Sequence, residues 1–265
     1  MDRNLRLTVL YDGTPFKGWQ RQAGCDTVQG TLETKLGELC GHAVSLLVAG
    51  RTDAGVHALG QVCNFHTSSR LPVSRLHRVL NQMLPHSVRV TKVREAPAAF
   101  HATYHARSKL YRYCLLNSPD YTVFDRHFYH HVRQPLDVSA MRHCARHLEG
   151  RRDFSAFRGP LGRDRDPVRN LKKVSVLKKG RFLHLEYEGE SFLHQMVRIL
   201  SGTLLYAGLG KFRPKDIPVI LESKDRRKAG PTLPPTGLFL VKVEYPRTFK
   251  PVRTRSSPRP PEESE

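Results

Sequence analysis

The first hundred residues alternate between patterns typical of strands and patterns typical of helices. Apolar and polar side chains alternate from Leu5 to Tyr11, which predicts a half-buried strand that ends at the turn Asp12-Gly13. After Thr27, a good N-cap, apolar residues recur at helical spacing as far as Gly41. The same patterns predict further strands at 45–49, 61–67 and 88–94 and a second helix at 76–84.

The rest of the chain has the same mixture without a recognisable sequence repeat. It predicts a strand at 108–116, a helix capped by Asp137, a basic loop at 150–169, strands near 170–178 and 181–188, helices at 191–206 and 214–223, and a last strand at 237–245. Both halves mix strands and helices in similar proportion, so we expect an α+β fold of two similar lobes, residues 1–107 and 108–246. Residues 247–265, rich in Pro, Arg and Glu, are predicted to form a disordered tail.

The predicted helix at 191–206 carries a narrow polar seam. Ser191, His194, Arg198 and Ser201 recur at helical spacing among mostly apolar residues. An unpaired arginine beside apolar packing is costly, so Arg198 would need a carboxylate or a phosphate partner. The alternative is that the seam is only the solvent-exposed edge of an amphipathic helix.

A second polar feature lies between two predicted strands, in the stretch AGRTDAGVHALGQ at 49–61. In an extended segment Arg51 and Asp53 point to the same face, so both can address one ligand. Gly55 allows a tight turn and the close approach of another backbone. The loop is therefore either an ordinary salt-bridged connection, which is the commoner case, or one that presents a carboxylate.

Charge narrows the class of partner. Lys and Arg number 44 against 24 Asp and Glu, for a net charge of +20, and most of the excess lies outside the tail. Such a surface favours a polyanion, and nucleic acid is the commonest one. The five cysteines form no C-x-x-C pair, which predicts a reducing, cytoplasmic environment. No apolar run is long enough for a membrane span and the N-terminus has no signal-peptide core, so we expect no membrane partner.

Neither a metal nor a cofactor is expected. The pairs His127/His131 and His143/His147 have a spacing that could chelate a metal on a helix, but no carboxylate completes an H-E-x-x-H pattern. Structural or RNA-facing histidines are the better interpretation. The chain also has no P-loop and no G-x-G-x-x-G motif.

Several segments together resemble one enzyme family. GRTDAGVHA at 50–58 resembles the hallmark motif of the tRNA pseudouridine synthase A family, cofactor-free enzymes that isomerise uridine in the anticodon stem-loop of tRNA. The resemblance extends over about residues 4–246. Its other segments, in chain order, are YDGTPFKGWQRQ (11–22), TVQGTLE (27–33), FHA (100–102), KLYRY (109–113), DFSAF (153–157), SFLHQMVR (191–198), AGPTLPPTGLFL (229–240) and VEYP (243–246).

The resemblance implies roles for particular residues. Asp53 would be the catalytic aspartate and Arg198 its basic partner. Tyr111 would stack on the target uracil, and Arg51 would help to hold the flipped nucleotide. Thr103 departs from the pattern, because relatives commonly have arginine after F-H-A, so the resemblance does not extend to a basic RNA contact at that position.

The resemblance further implies the pseudouridine synthase fold, with two lobes that form a basic central cleft. It implies a homodimer that modifies tRNA at position 38, 39 or 40 without cofactor or metal. Two other classes remain to be separated from it. One is a non-catalytic RNA-binding protein or RNA chaperone with the same fold. The other is a metal-dependent nuclease, which would need several clustered acids where the signature loop has only one.

Overall fold

A computed structural model of the protein describes residues 2–161 and 166–249. Ten strands of this part of the chain form one mixed sheet, in the order β4-β1-β3-β10-β5-β9-β8-β7, with β2 paired to β3 and β6 to β5. The strands are β1 Arg3–Tyr11, β2 Leu47–Val48, β3 His57–Thr67, β4 Val88–Ala96, β5 Ser108–Asn117, β6 His130–Val132, β7 Gly150–Asp153, β8 Val168–Lys179, β9 Phe182–Gly189 and β10 Leu238–Glu244. The helices are α1 Val28–Cys40, α2 Val73–Met83, α3 Val138–Arg146, α4 Met196–Gly208 and α5 Asp216–Ser223. The expected α+β class is confirmed.

The last strand lies at the centre of the sheet. β10 runs parallel to β3, with Phe239 opposite His57, and antiparallel to β5, with Leu240 opposite Tyr111. Hydrogen bonding is therefore continuous across the boundary expected at residues 107 and 108. The arrangement brings the loop that precedes β3 close to the middle of β5, although the two are far apart in sequence.

Local sequence signals account well for the helix ends. The Thr27 hydroxyl accepts a hydrogen bond from the Gly30 amide at the start of α1, and Gly41 ends that helix in the left-handed region, at φ 75°. Asp137 caps α3 in the same way, by accepting from the Ala140 amide. Both predicted helix starts are confirmed.

The prediction for residues 191–206 is wrong at its beginning. The helix α4 starts at Met196, and Gln195 before it has a left-handed backbone, with φ at 56°. Ser191 and His194 therefore lie in an irregular approach to the helix, with His194 in a turn, rather than on a helical seam. Ser201 is on the helix but buried, and its hydroxyl hydrogen-bonds the Tyr187 hydroxyl at 3.0 Å. The apolar periodicity continued through 191–195 because this approach also packs against the core.

Three other predicted boundaries also change. The strand expected at 45–49 is reduced to the two residues of β2, whereas β3 starts at His57 instead of residue 61. The predicted loop at 150–169 contains β7 and a 3-10 turn at Ser155–Phe157, because Ala156 and Phe157 are buried. Short elements of this kind are held by tertiary packing and give little periodic signal.

The tail expected at 247–265 lies mostly outside the described residues, which end at 249. Within them, Phe249 packs edge-on against Phe100, with ring centroids 4.9 Å apart, and also against His105. Throughout residues 2–161 and 166–249, no helix is long and apolar enough to cross a membrane.

Candidate functional site

The loop that carries Asp53 is held by the segment that follows β1. The Trp19 amide donates to the Thr52 carbonyl at 3.1 Å, and the Gly55 amide donates to the Phe16 carbonyl at 3.3 Å. The loop also closes on itself, because the Val56 amide donates to the Asp53 carbonyl. These bonds on both sides of Asp53 fix its backbone, so its carboxylate has a defined position.

Two glycines allow the close packing of this loop. Gly18 has φ at +92°, and a Cβ there would lie 2.8 Å from the Thr52 carbonyl oxygen. Gly55 has φ at +76°, and a Cβ there would lie 2.9 Å from Cγ of Pro235. A side chain at either position would push the loop out of place, in addition to the strain of a positive φ.

The structure brings Asp53 and Arg198 together. Nη1 of Arg198 lies 3.4 Å from Oδ2 of Asp53. The guanidinium is held from its other side, because its Nε donates to the Leu233 carbonyl at 2.6 Å. The Arg198 side chain is 14% exposed and that of Asp53 is 32% exposed, so the arginine is enclosed while the carboxylate still faces solvent. The phosphate alternative for Arg198 is therefore not needed, since the carboxylate serves as its partner.

His194 is a second neighbour of Asp53, which the sequence analysis placed on the polar seam without giving it a role at the site. Its Nε2 lies 3.9 Å from Oδ1 of Asp53, whereas Arg198 contacts the other carboxylate oxygen, Oδ2. Its backbone carbonyl accepts from the Gly159 amide at 2.8 Å, and a Cβ on Gly159 would lie 2.6 Å from the imidazole Nδ1. Interpretation of this segment as regular helix hid the contact, because the turn at Gln195 redirects the chain.

Tyr111 lies in the same region but is mostly enclosed. The side chain is 8% exposed and packs edge-on against Phe192, with ring centroids 4.9 Å apart. Burial raises the pKa of Tyr111, and the neighbouring Tyr11 and Asp53 raise it further, so the hydroxyl is neutral at physiological pH. The ring is thus part of the core and close to Asp53 at the same time.

Arg51 and Thr103 differ in their surroundings. Arg51 is exposed, and within the described ranges no carboxylate pairs with it, so the ordinary salt-bridged loop is not what forms here. The Thr103 hydroxyl donates to the Val48 carbonyl at 2.6 Å, which ties it to the strand before the signature loop. The threonine therefore has a structural contact at the position where an arginine was expected.

His57, at the end of the signature motif, is a buried structural histidine. Its Nδ1 accepts from the Gly13 amide at 3.0 Å, and its Nε2 donates to the Thr236 carbonyl at 3.1 Å. Asp12 also lies 3.1 Å from Nδ1, but burial outweighs this carboxylate and lowers the pKa of His57. The neutral ring therefore links three segments around the loop. In the part of the chain that the structure describes, no three His, Cys, Asp or Glu side chains are arranged to hold a metal ion.

Comparison with known proteins adds a family to this geometry. A family model described as tRNA pseudouridine synthase matches residues 7–105 and 144–246. The chain is 43% identical over 243 residues to tRNA pseudouridine synthase A of Acetivibrio thermocellus, with 92% of this chain and all of the relative covered. The enzymes of the same name from Ruminiclostridium cellulolyticum and Brevibacillus brevis are 41% and 42% identical, with the same coverage.

Proposed function

The chain belongs to the tRNA pseudouridine synthase family and isomerises uridine to pseudouridine in tRNA, and we propose that its targets are positions 38, 39 and 40 of the anticodon stem-loop. The observation that carries the chemistry is the accessible carboxylate of Asp53, held between fixed loop bonds and the enclosed guanidinium of Arg198. The choice of stem-loop positions rests on the family resemblance alone.

The reaction needs no change of oxidation state. The bond from C1′ to N1 breaks, the uracil rotates, and a bond from C1′ to C5 forms. C5 gives up one proton and N1 takes one up, so all atoms and electrons balance within the substrate and solvent. The protein must provide a carboxylate beside the sugar, a place for the freed base and a path for one proton. We propose that no cofactor or metal takes part.

Asp53 is proposed as the catalytic residue. Its carboxylate either attacks C1′ as a nucleophile or removes the proton from C2′, and both routes need the same ionised oxygen beside the ribose. Arg198 orients the carboxylate through Oδ2 and is itself oriented by Leu233, so neither has to reorganise during the reaction. Oδ1, on the side of His194, is then the oxygen available to the substrate.

Tyr111 and Arg51 are proposed to hold the flipped nucleotide. Extrusion of a stacked base costs a few kcal/mol, and stacking on an aromatic ring returns about 1–3 kcal/mol. Phe192 packs against the Tyr111 ring from another side and fixes its orientation. Arg51 is exposed on the loop of Asp53 and remains available for the RNA strand.

The wider setting is also a proposal. A net charge of +20 favours binding of the tRNA backbone through counterion release, with affinity that falls steeply as salt is added. We expect a cytoplasmic homodimer in which both subunits contribute surface to each cleft, as the family resemblance implies.

One assay tests the activity and separates it from the other classes. The protein is incubated with tRNA that carries tritium at C5 of uridine, in parallel buffers that contain either Mg²⁺ or EDTA. Strand cleavage is scored in the Mg²⁺ buffer, because EDTA removes the metal that a nuclease would need. Formation of pseudouridine releases the label to water, whereas an RNA-binding protein leaves the label in place and a nuclease shortens the strand.

The matched variant is Asp53→Asn, which keeps the size of the side chain and removes its charge. It should lower turnover to below about a tenth of the parent rate while tRNA affinity changes by less than about fivefold, because phosphate contacts dominate affinity. Turnover above that limit would remove Asp53 from the catalytic role.

A further inference from the structure

Lys109 is a half-buried cation without an anionic partner. It lies on β5, two residues before Tyr111 and on the same face of the sheet. Its stem crosses the start of the signature loop, since a Cβ on Gly50 would lie 3.2 Å from Cε and 3.8 Å from Nζ of Lys109. Burial lowers the pKa of Lys109, and nothing nearby offsets this effect. Within residues 2–161 and 166–249, its ammonium group makes neither an ion pair nor a hydrogen bond.

The carboxylates of the adjacent strands face away from Lys109. Glu244 of β10 is opposite Ser108, and Glu188 of β9 is opposite Leu110. Because side chains alternate along a strand, both acids belong to the other face of the sheet. The residues directly opposite Lys109 are Val243 and Gly189, and neither carries a charge.

The unpaired, half-buried charge of Lys109 lowers the stability of the free protein, and a bound anion would offset this cost. A lysine that loses part of its hydration without gaining a partner is a liability for the free protein. Its ammonium group keeps some solvent exposure, because Nζ of Lys109 is not one of the fully buried side-chain atoms that lack a hydrogen-bond partner in the described residues. An anion can therefore reach it.

We propose that Lys109 binds a backbone phosphate of the RNA strand next to the flipped uridine. The Cα atoms of Lys109 and Tyr111 are about 7 Å apart along the strand, and both side chains lie on one face of the sheet. Gly50 leaves the space through which the lysine stem passes. Arg51, the next residue of the same loop, is exposed. This inference rests on the proposed placement of the target base at Tyr111, and it adds the contact that locates the strand.

The test compares Lys109→Met, which keeps the stem and removes the charge, with Lys109→Arg. The matched control is Lys178→Met, which removes the same charge from an exposed position on β8. Lys109→Met should lower kcat/KM by about 10- to 100-fold, as expected for the loss of one charged hydrogen bond, with Lys109→Arg close to the parent. The slope of log Kd for tRNA against log salt should fall by about 0.7–0.9 for Lys109→Met and stay unchanged for the control. The melting temperature of the Met variant should equal or exceed that of the parent.

A chemical substitution in the RNA makes the assignment specific. A neutral methylphosphonate is placed on either side of the modified uridine in tRNA assembled by ligation. At one of these positions it should slow the parent at least tenfold and have no further effect on Lys109→Met. If the methylphosphonate and Lys109→Met lower the rate independently at both positions, so that their effects multiply, the phosphate contact is overturned. An unchanged slope of log Kd against log salt for Lys109→Met would also overturn it. If the parent forms no pseudouridine, the proposed function fails, and the salt slopes still decide whether Lys109 contacts phosphate.

Discussion

Tyr111 offers the most decisive perturbation, because its ring is both core and proposed stacking platform. Truncation to alanine would confuse the two roles. A ring that is 8% exposed and packed on Phe192 leaves a cavity when removed, at a cost of about 3–5 kcal/mol in the free energy of unfolding. That loss alone could deplete the folded protein, so an inactive alanine variant would prove little.

Two other substitutions separate the roles. Tyr111→Phe keeps the ring, and because the hydroxyl makes no hydrogen bond in the described part of the chain, stability should change by less than about 0.5 kcal/mol. Tyr111→Leu keeps most of the apolar volume, so its stability loss should be only about 1–2 kcal/mol, but it has no π-face. Loss of about 1–3 kcal/mol of stacking corresponds to a fall in single-turnover rate of about 5- to 150-fold.

The measurement pairs urea denaturation with single-turnover tritium release at saturating tRNA. Saturation removes differences in binding of the tRNA body, so the rate reports the flipped state and the chemistry. A leucine variant that is folded and within twofold of the parent rate would refute the stacking role and return Tyr111 to the core. A slow phenylalanine variant would instead show that the hydroxyl handles a proton.

Three further predictions concern the site and its surroundings. Arg198→Met should lower turnover by at least about 100-fold, because the Asp53 carboxylate loses the group that positions it. The affinity for tRNA, measured by filter binding, should change little, and an equal loss of affinity would contradict this reasoning. Deletion of 250–265 should leave the melting temperature unchanged because that sequence has almost no apolar residues, whereas Phe249→Ala should cost about 1–2 kcal/mol in chemical denaturation through its lost ring contacts. The pKa of buried His57 is lower in the folded protein than in the unfolded chain. As pH falls below about 6.5, the unfolded chain therefore gains a proton at His57 before the folded protein does, and stability is lost. His57→Gln should reduce the dependence of the free energy of unfolding on pH by up to about 1.4 kcal/mol per pH unit. An unchanged dependence between pH 7 and 5 would show that His57 does not contribute to it.

The sequence by itself determined the local features of the protein. Thr27 and Gly41 delimit α1 because side-chain capping and left-handed glycine act within a few residues. The residues alone left two interpretations open for the loop of Asp53 and two for the seam of Arg198, and only the resemblance to the synthase family favoured a presented carboxylate with a basic partner. The strong positive charge and the absence of a P-loop likewise needed no structure to be read.

Tertiary structure alone decided which of these residues meet. Asp53 and Arg198 are 145 positions apart, and no spacing in the chain encodes their 3.4 Å contact. The contact depends on β10, which inserts between β3 and β5 and closes one sheet. His194 comes within reach of Asp53 only because Gln195 adopts a left-handed backbone that apolar periodicity does not report. Periodicity describes the face on which a side chain lies, whereas pairing between distant segments depends on the total packing free energy, to which every element contributes.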